Sequence, residues 1–362
     1  MNNSYRFKRI VVKVGSNVLT RPDGMLDTTR MSALTDQLAA LHRAGVEVIL
    51  VSSGAVASGR NELKTQRKLD SVSARQLFSA VGQVKLINHY YELFREYGIT
   101  CGQVLTTKEN FSTRRHYLNQ QHCMSVMLEN GVIPIVNEND TISVTELMFT
   151  DNDELSGLVA AMMGAEALVI LSNIDGIYDG SPSDPASQVI RRVAPGRDLS
   201  QYIDTARSSR GRGGMTTKSR ISSRAAGEGI EVVIANGRRD NILTDLILTD
   251  RDVVCTRFEA APRPASGVKK WIASSEGFAK GALHLDAGAA AAVSQSKAAS
   301  ILAVGVTAVE GDFERDDIVR ILSPEGAPLG VGRISCDSAT ARRNLGRKGL
   351  KPLIHCDYLY LE

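Results

Sequence analysis

The chain has 362 residues, with 43 Lys plus Arg against 40 Asp plus Glu, 43% hydrophobic residues and a formal charge of +3. That is globular composition at a length of roughly two domains, and it argues against a disordered chain or a protein built as a polyanion binder. Five widely spaced cysteines with no CxxC predict free thiols, not a disulfide framework or zinc site. The N-terminal apolar run, Ile10 to Val12, is too short for a signal peptide. No stretch approaches the ~18 apolar residues of a membrane span, so the expectation is a cytoplasmic protein with no membrane contact.

In chain order, Ile10–Val14 predicts a strand that carries Lys13 at its end, followed at once by Gly15 and Ser16. Buried strands seldom hold a lysine unless it meets an anion at their mouth, although an edge-strand lysine facing solvent reads the same way. The segment is not a Walker A loop, because GxxxxGK[ST] is absent. Met31, Leu34, Leu38 and Leu41 recur at helical spacing, and Gly45 stops that helix. A strand over Val46–Val51 runs into Ser-Ser-Gly and then a second helix, whose entry suits a carboxylate or phosphate, although on its own it reads better as a plain N-cap turn. Residues 71–97 predict one or two helices ending at Gly98.

Further strands are expected at Thr100–Leu105, Val132–Val136, Ala167–Leu171 and Glu231–Ala235, each preceded by a helical segment. Strands alternating with helices imply a mostly parallel α/β sheet covered on both faces, with ligands at the carboxyl ends of the strands. There the polar residues gather. Asn137 to Asp140 and Asp151 to Asp153 bracket one loop after one strand. Helix capping accounts for one or two of them, but two acidic-amide clusters suit an ammonium, cationic side chains or Mg²⁺. Leu168–Pro185 makes a plausible nucleotide lip. Ser208–Ala226 is a Gly-rich loop leading into a helix with Lys218 in its first turns.

Near residue 259 the pattern changes. Glu259–Lys270 reads as a linker rich in Ala, Pro and Gly, with Trp271 and Ile272 as a first anchor beyond it. Short runs at Ala282–Leu285, Ile301–Val306, Asp317–Leu322 and Leu353–Cys356 then predict a small, mainly β domain. The expected division is 1–262, a linker over 263–276, and 277–362.

The segments KVGSNVL, VSSGAVASGR, AVGQ, VNEND, DNDELS, SNIDGIY and GRGGMTTK together resemble the amino acid kinase family, over about residues 10–220. GALHLDAGAAAAV, SILAVGVTAVEGDFERDDIVRI and GVGRISCDS resemble a C-terminal PUA domain. The resemblance implies the amino acid kinase fold: a mostly parallel sheet sandwiched by helices, plus a small mainly β PUA domain. It also implies ATP-dependent phosphorylation of the γ-carboxylate of L-glutamate to L-glutamyl 5-phosphate, the first step of proline biosynthesis.

By the same resemblance, Lys13 contacts the transferring phosphoryl, Lys218 the leaving side, and Asp153 holds the two lysines. Ser53, Asp140 and Asn152 bind glutamate; as residue types they suit an α-ammonium and an amide-bound carboxylate. Lys13, Gly15, Ser172, Asn173, Arg212, Gly213, Gly214, Met215, Thr216, Thr217 and Lys218 line the ATP site. Mg²⁺ bridges phosphate oxygens, with no protein ligand assigned. Relatives usually carry Asp where Asn173 stands, so the charge there is lost and hydrogen bonding kept. The implied partners are proline as feedback inhibitor, the next enzyme, glutamate-5-semialdehyde dehydrogenase, and further copies of the chain in a homo-oligomer. The six histidines are scattered, which suits an acceptor that needs no general base. The alternatives are another member of the family, such as an acetylglutamate, aspartate or uridylate kinase, or an RNA-binding protein acting through the PUA domain. Residues 277–362 hold ten Lys/Arg and ten Asp/Glu, and that neutrality speaks against RNA.

Overall fold

The computed structural model describes residues 6–63, 69–112, 114–142, 149, 151–182, 184–202, 214–249, 251–262, 272, 279–295 and 299–361. They divide into two units: 1–108 with 120–264, and 109–119 with 265–362.

The first unit is built on β1 (Arg9–Val14), whose Ile10, Val11 and Val12 have no solvent exposure. A strand buried on both faces reads as a continuous β-branched run, which is what RIVVKV is. β1 pairs in parallel with β2 (Glu47–Ser52) on one side and β5 (Ala167–Ser172) on the other, with Lys13 level with Val51 and Ile170. With β3 (Cys101–Thr106), β4 (Ile133–Glu138), β6 (Arg192–Val193), β7 (Glu231–Asn236) and β8 (Thr256–Phe258) the sheet runs β3-β4-β2-β1-β5-β7-β8-β6. Every described pairing is parallel except β7 with β8.

Among the described residues the helices up to residue 247 are α1 (Ser16–Leu19), α2 (Thr28–Arg43), α3 (Ala55–Glu62), α4 (Ser71–Arg95), α5 (Glu109–Ser112), α6 (Arg114–Glu129), α7 (Asn152–Met163), α8 (Met215–Gly227) and α9 (Ile242–Ile247), of which α5 belongs to the second unit. The expected stripe of α2 is buried at Met31, Leu34, Leu38 and Leu41. Residues 71–95 form one helix, α4, capped by Asp70. α3 and α4 touch backbone to backbone. A Cβ on Gly59 would lie 1.8 Å from the carbonyl oxygen of Phe78, and one on Gly82 1.8 Å from that of Ala55. Only glycine permits that approach, and it fixes Gln83, the neighbour of Gly82, against the end of the sheet.

The second unit carries the sheet β10-β9-β11-β12-β13, from β9 (Gly281–Leu285), β10 (Val306–Gly311), β11 (Ile318–Leu322), β12 (Pro328–Arg333) and β13 (Leu359–Leu361). Two expected strands are corrected. Ile301–Val306 is a single bridge from Ile301 to Ile354 followed by a 3₁₀ turn, and the strand starts only at Val306. Leu353–Cys356 leads into a 3₁₀ turn at Cys356–Tyr358, and β13 follows it. Both runs are apolar because they fill this unit's core at Ile301, Leu353 and Ile354, so burial mimics a strand signal. The Ala-rich run is helix α10 (Ala287–Gln295), and α11 spans Ser338–Arg343. Most of the expected linker, with Trp271, lies outside the described residues; Ile272 is fully buried. Among the described residues no helix is long and apolar enough to cross a membrane.

Candidate active site

Lys13 leaves the carboxyl end of β1 with its side chain 6% exposed. An ammonium that deep needs a counter-charge. Asp153, 1% exposed in the first turn of α7, supplies it: Oδ1 lies 2.6 Å from Lys13 Nζ. Oδ2 of the same carboxylate lies 2.8 Å from Lys218 Nζ, on the first turn of α8. One carboxylate thus aims two ammonium groups from different elements. Burial alone would push the Asp153 carboxyl up, but the two lysines outweigh it and hold it at about 2.

The next carboxylate behaves differently. Asp151 is the N-cap of α7, its Oδ1 accepting from the N–H groups of Asp153 at 2.9 Å and Glu154 at 3.1 Å. Its Oδ2 is buried with no hydrogen-bond partner among the described residues. Burial, then the neighbouring Asp153, push this carboxyl up to about 6, with Lys13 and Lys218 opposing.

These groups border a cavity of about 580 Å³. Of the residues expected from sequence, Lys13, Gly15, Ser53, Asn152, Asp153, Ser172, Asn173, Gly214, Met215 and Lys218 line it. Thr216 and Thr217 sit on α8 but do not line it, and Arg212 and Gly213 lie outside the described residues. Gly15 does not offer its amide to the cavity, because its N–H donates to the Leu171 carbonyl at 3.1 Å. Among the described residues no histidine lines the cavity.

Asn152 and Ser53 are joined: Asn152 Nδ2 lies 3.0 Å from Ser53 Oγ, 3.1 Å from the Ser52 carbonyl and 3.0 Å from Asn137 Oδ1. Asp140 is not brought into the same cavity. It lines a second one, of about 290 Å³, with Ser79, Gln83 and Glu138. There its carboxylate pairs with Arg75 and accepts from Ser79 Oγ at 3.2 Å, while Arg75 also holds Glu138 at 2.7 Å.

The sequence reading had Asp151 in its acidic-amide cluster and Tyr178 in its nucleotide lip without assigning either a site role, and it missed Tyr202; all three line the cavity. Asp151 was hidden by its capping role. Tyr178 and Tyr202 come from irregular segments with no periodicity to place them.

The amino acid kinase family model matches residues 8–236, and the PUA domain model matches 281–353. The chain belongs to the amino acid kinase family. A curated protein of Bacteroides thetaiotaomicron is 68% identical over 98% of this chain and 99% of its own, and one of Chlorobaculum tepidum is 47% identical over 98% of each. Both bear the name glutamate 5-kinase. The X-ray structure of an isopentenyl phosphate kinase shares the fold alone, with a TM-score of 0.50 and 15% identity over 69% of this chain and 99% of that one.

Proposed function

We propose that the chain transfers the γ-phosphoryl of ATP to the γ-carboxylate of L-glutamate, giving L-glutamyl 5-phosphate and ADP. The observation that carries this reading is the Lys13–Asp153–Lys218 arrangement at one wall of a cavity, in a chain 68% identical to a glutamate 5-kinase. A side-chain carboxyl with a pKa near ~4.3 is already the nucleophile at neutral pH, so no base is needed. The difficulty is an anion approaching a polyphosphate, and the answer is fixed positive charge and alignment. Lys13 is assigned to the transferring phosphoryl, Lys218 to the β–γ bridge oxygen as that bond breaks, and Asp153 to holding both ammonium groups in register.

Ser53 and Asn152 are assigned to glutamate, with Asp140 contributing from the second cavity. Ser172, Asn173, Gly214 and Met215 are assigned to the nucleotide; the segment from Arg212 through Thr217 is included on family resemblance. Mg²⁺ supplies charge neutralisation on the phosphates. The buried, unpartnered Oδ2 of Asp151 is a hard oxygen donor at the cavity wall and fits such an ion, which binds through one or two carboxylates plus substrate phosphates. Proline inhibition, a homo-oligomer, a hand-over to glutamate-5-semialdehyde dehydrogenase, a cytoplasmic location and the division at 262 and 277 are part of the same proposal. ATP consumption measured across glutamate, acetylglutamate, aspartate and uridylate tests it. Turnover on glutamate is expected, and turnover on acetylglutamate but not glutamate would overturn it.

A further inference from the structure

A primary amide can present either its oxygen or its NH₂ to a ligand, and the two recognise opposite charges. For Asn152 the choice is forced by backbone groups that cannot be reversed. At one end, the Glu138 N–H donates to Asn137 Oδ1 at 2.9 Å. That fixes the Asn137 oxygen, so its Nδ2 must face away, and it donates to Gln83 Oε1 at 2.8 Å. At the other end, the Ser52 carbonyl can only accept, and it faces Asn152 Nδ2. The same Nδ2 faces the fixed oxygen of Asn137 and Ser53 Oγ.

Reversing Asn152 would set its oxygen against two obligate acceptors. Both of its N–H groups are therefore spent inside the protein. Its Oδ1 has no hydrogen bond among the described residues, and Asn152 lines the larger cavity. Ser53 Oγ accepts from Asn152, which leaves its proton to donate. Asn137 and Gln83 are 3% and 7% exposed, and neither lines that cavity.

Resting on the glutamate reading above, we propose that Gln83 and Asn137 are positioning residues. They lock Asn152 so that the site offers an acceptor, Asn152 Oδ1, beside a donor, the Ser53 hydroxyl. The acceptor selects a free α-ammonium and the donor takes a carboxylate oxygen. This reverses the role that residue type alone suggests for Asn152, which is to bind a carboxylate through its NH₂.

The test compares L-glutamate with glutarate, which keeps both carboxylates and lacks the ammonium. The wild-type protein should prefer glutamate by at least ~100-fold in kcat/KM, since glutarate leaves the acceptor built for the ammonium unpaired. Gln83→Met and Asn137→Leu should raise the KM for glutamate about tenfold and lower the glutamate-to-glutarate ratio about tenfold, leaving the KM for ATP unchanged. Gln83→Glu retains an acceptor for Asn137 and should restore the ratio. Equal wild-type turnover of glutarate and glutamate would overturn the inference while leaving the kinase reading intact. So would a Gln83→Met protein with the parent's ratio. No turnover of glutamate at all would remove both. A variant that is merely misfolded would lose ATP and glutamate affinity together, which the KM for ATP separates from a loss of selectivity.

Discussion

Replacing Asp153 by Asn removes the charge that ties Lys13 to Lys218. The carboxylate sits 1% exposed between two ammonium groups at 2.6 and 2.8 Å. Its pKa falls from 3.8 to about 2 in spite of burial, so the folded state favours the ionised form. A depressed carboxylate pKa stabilises above the unfolded value, and the contribution is lost as pH falls from about 4 through about 2. The Asn variant lacks it throughout. It also leaves two buried ammonium groups facing each other, and breaking a buried pair typically costs about 3–5 kcal/mol. A loss of about 2–5 kcal/mol at neutral pH is expected, which in a unit of this size lowers Tm by roughly 5–15 °C. The summed charge of Lys13, Lys218, Asp151 and Asp153 at neutral pH rises from about 0 to about +1, so ATP should raise the Tm of the variant more than that of the parent. With the lysines no longer aimed, kcat should fall by about 10²–10³. Thermal melts with and without ATP, paired with steady-state kinetics, measure all three effects. A variant that melts within a degree of the parent and keeps its kcat would refute the claim that Asp153 organises the lysines.

Lys13→Ala and Lys218→Ala should each lower kcat by about 10²–10³, and near-parental kcat in either removes its role. Asp151 carries the opposite sign to Asp153. A carboxyl raised to about 6 favours the folded state at low pH, and that advantage disappears as pH rises through 6. Asn still caps a helix, so Asp151→Asn should melt higher than the parent at pH 8, by about 1–3 kcal/mol, yet turn over poorly and need more Mg²⁺. Unchanged stability and unchanged Mg²⁺ dependence would contradict that reading. A chain ending at residue 273 should keep glutamate-dependent turnover, because every assigned residue lies between 13 and 218; a folded but inactive truncation would mean that the tail completes the site.

The central strands were legible because burial on both faces writes β-branched runs such as RIVVKV and ALVILS, and the structure moves their ends by one residue. β6 and β8 were not, because strands of two and three residues leave no pattern to read. In the second unit, the runs at 301–306 and 353–356 misled because core filling in a small β domain does not need a ladder. At the site, Lys13 stood out as a charge at the end of a buried strand, and the family resemblance joined it to Asp153 and Lys218. The amide chain from Gln83 through Asn137 to Asn152 joins residues 54 and 15 positions apart, so only the fold could show which way each amide turns.

The most direct measurement follows the oxygen. L-Glutamate labelled with ¹⁸O in its γ-carboxylate is incubated with ATP and the protein, and hydroxylamine traps the acyl phosphate. Attack by that carboxylate on phosphorus makes its oxygen the bridge, and the bridge leaves with phosphate when hydroxylamine displaces it. Released phosphate carrying one ¹⁸O, in step with hydroxamate, is the result the account predicts. Phosphate without ¹⁸O, released at the same rate when glutamate is omitted, would contradict it.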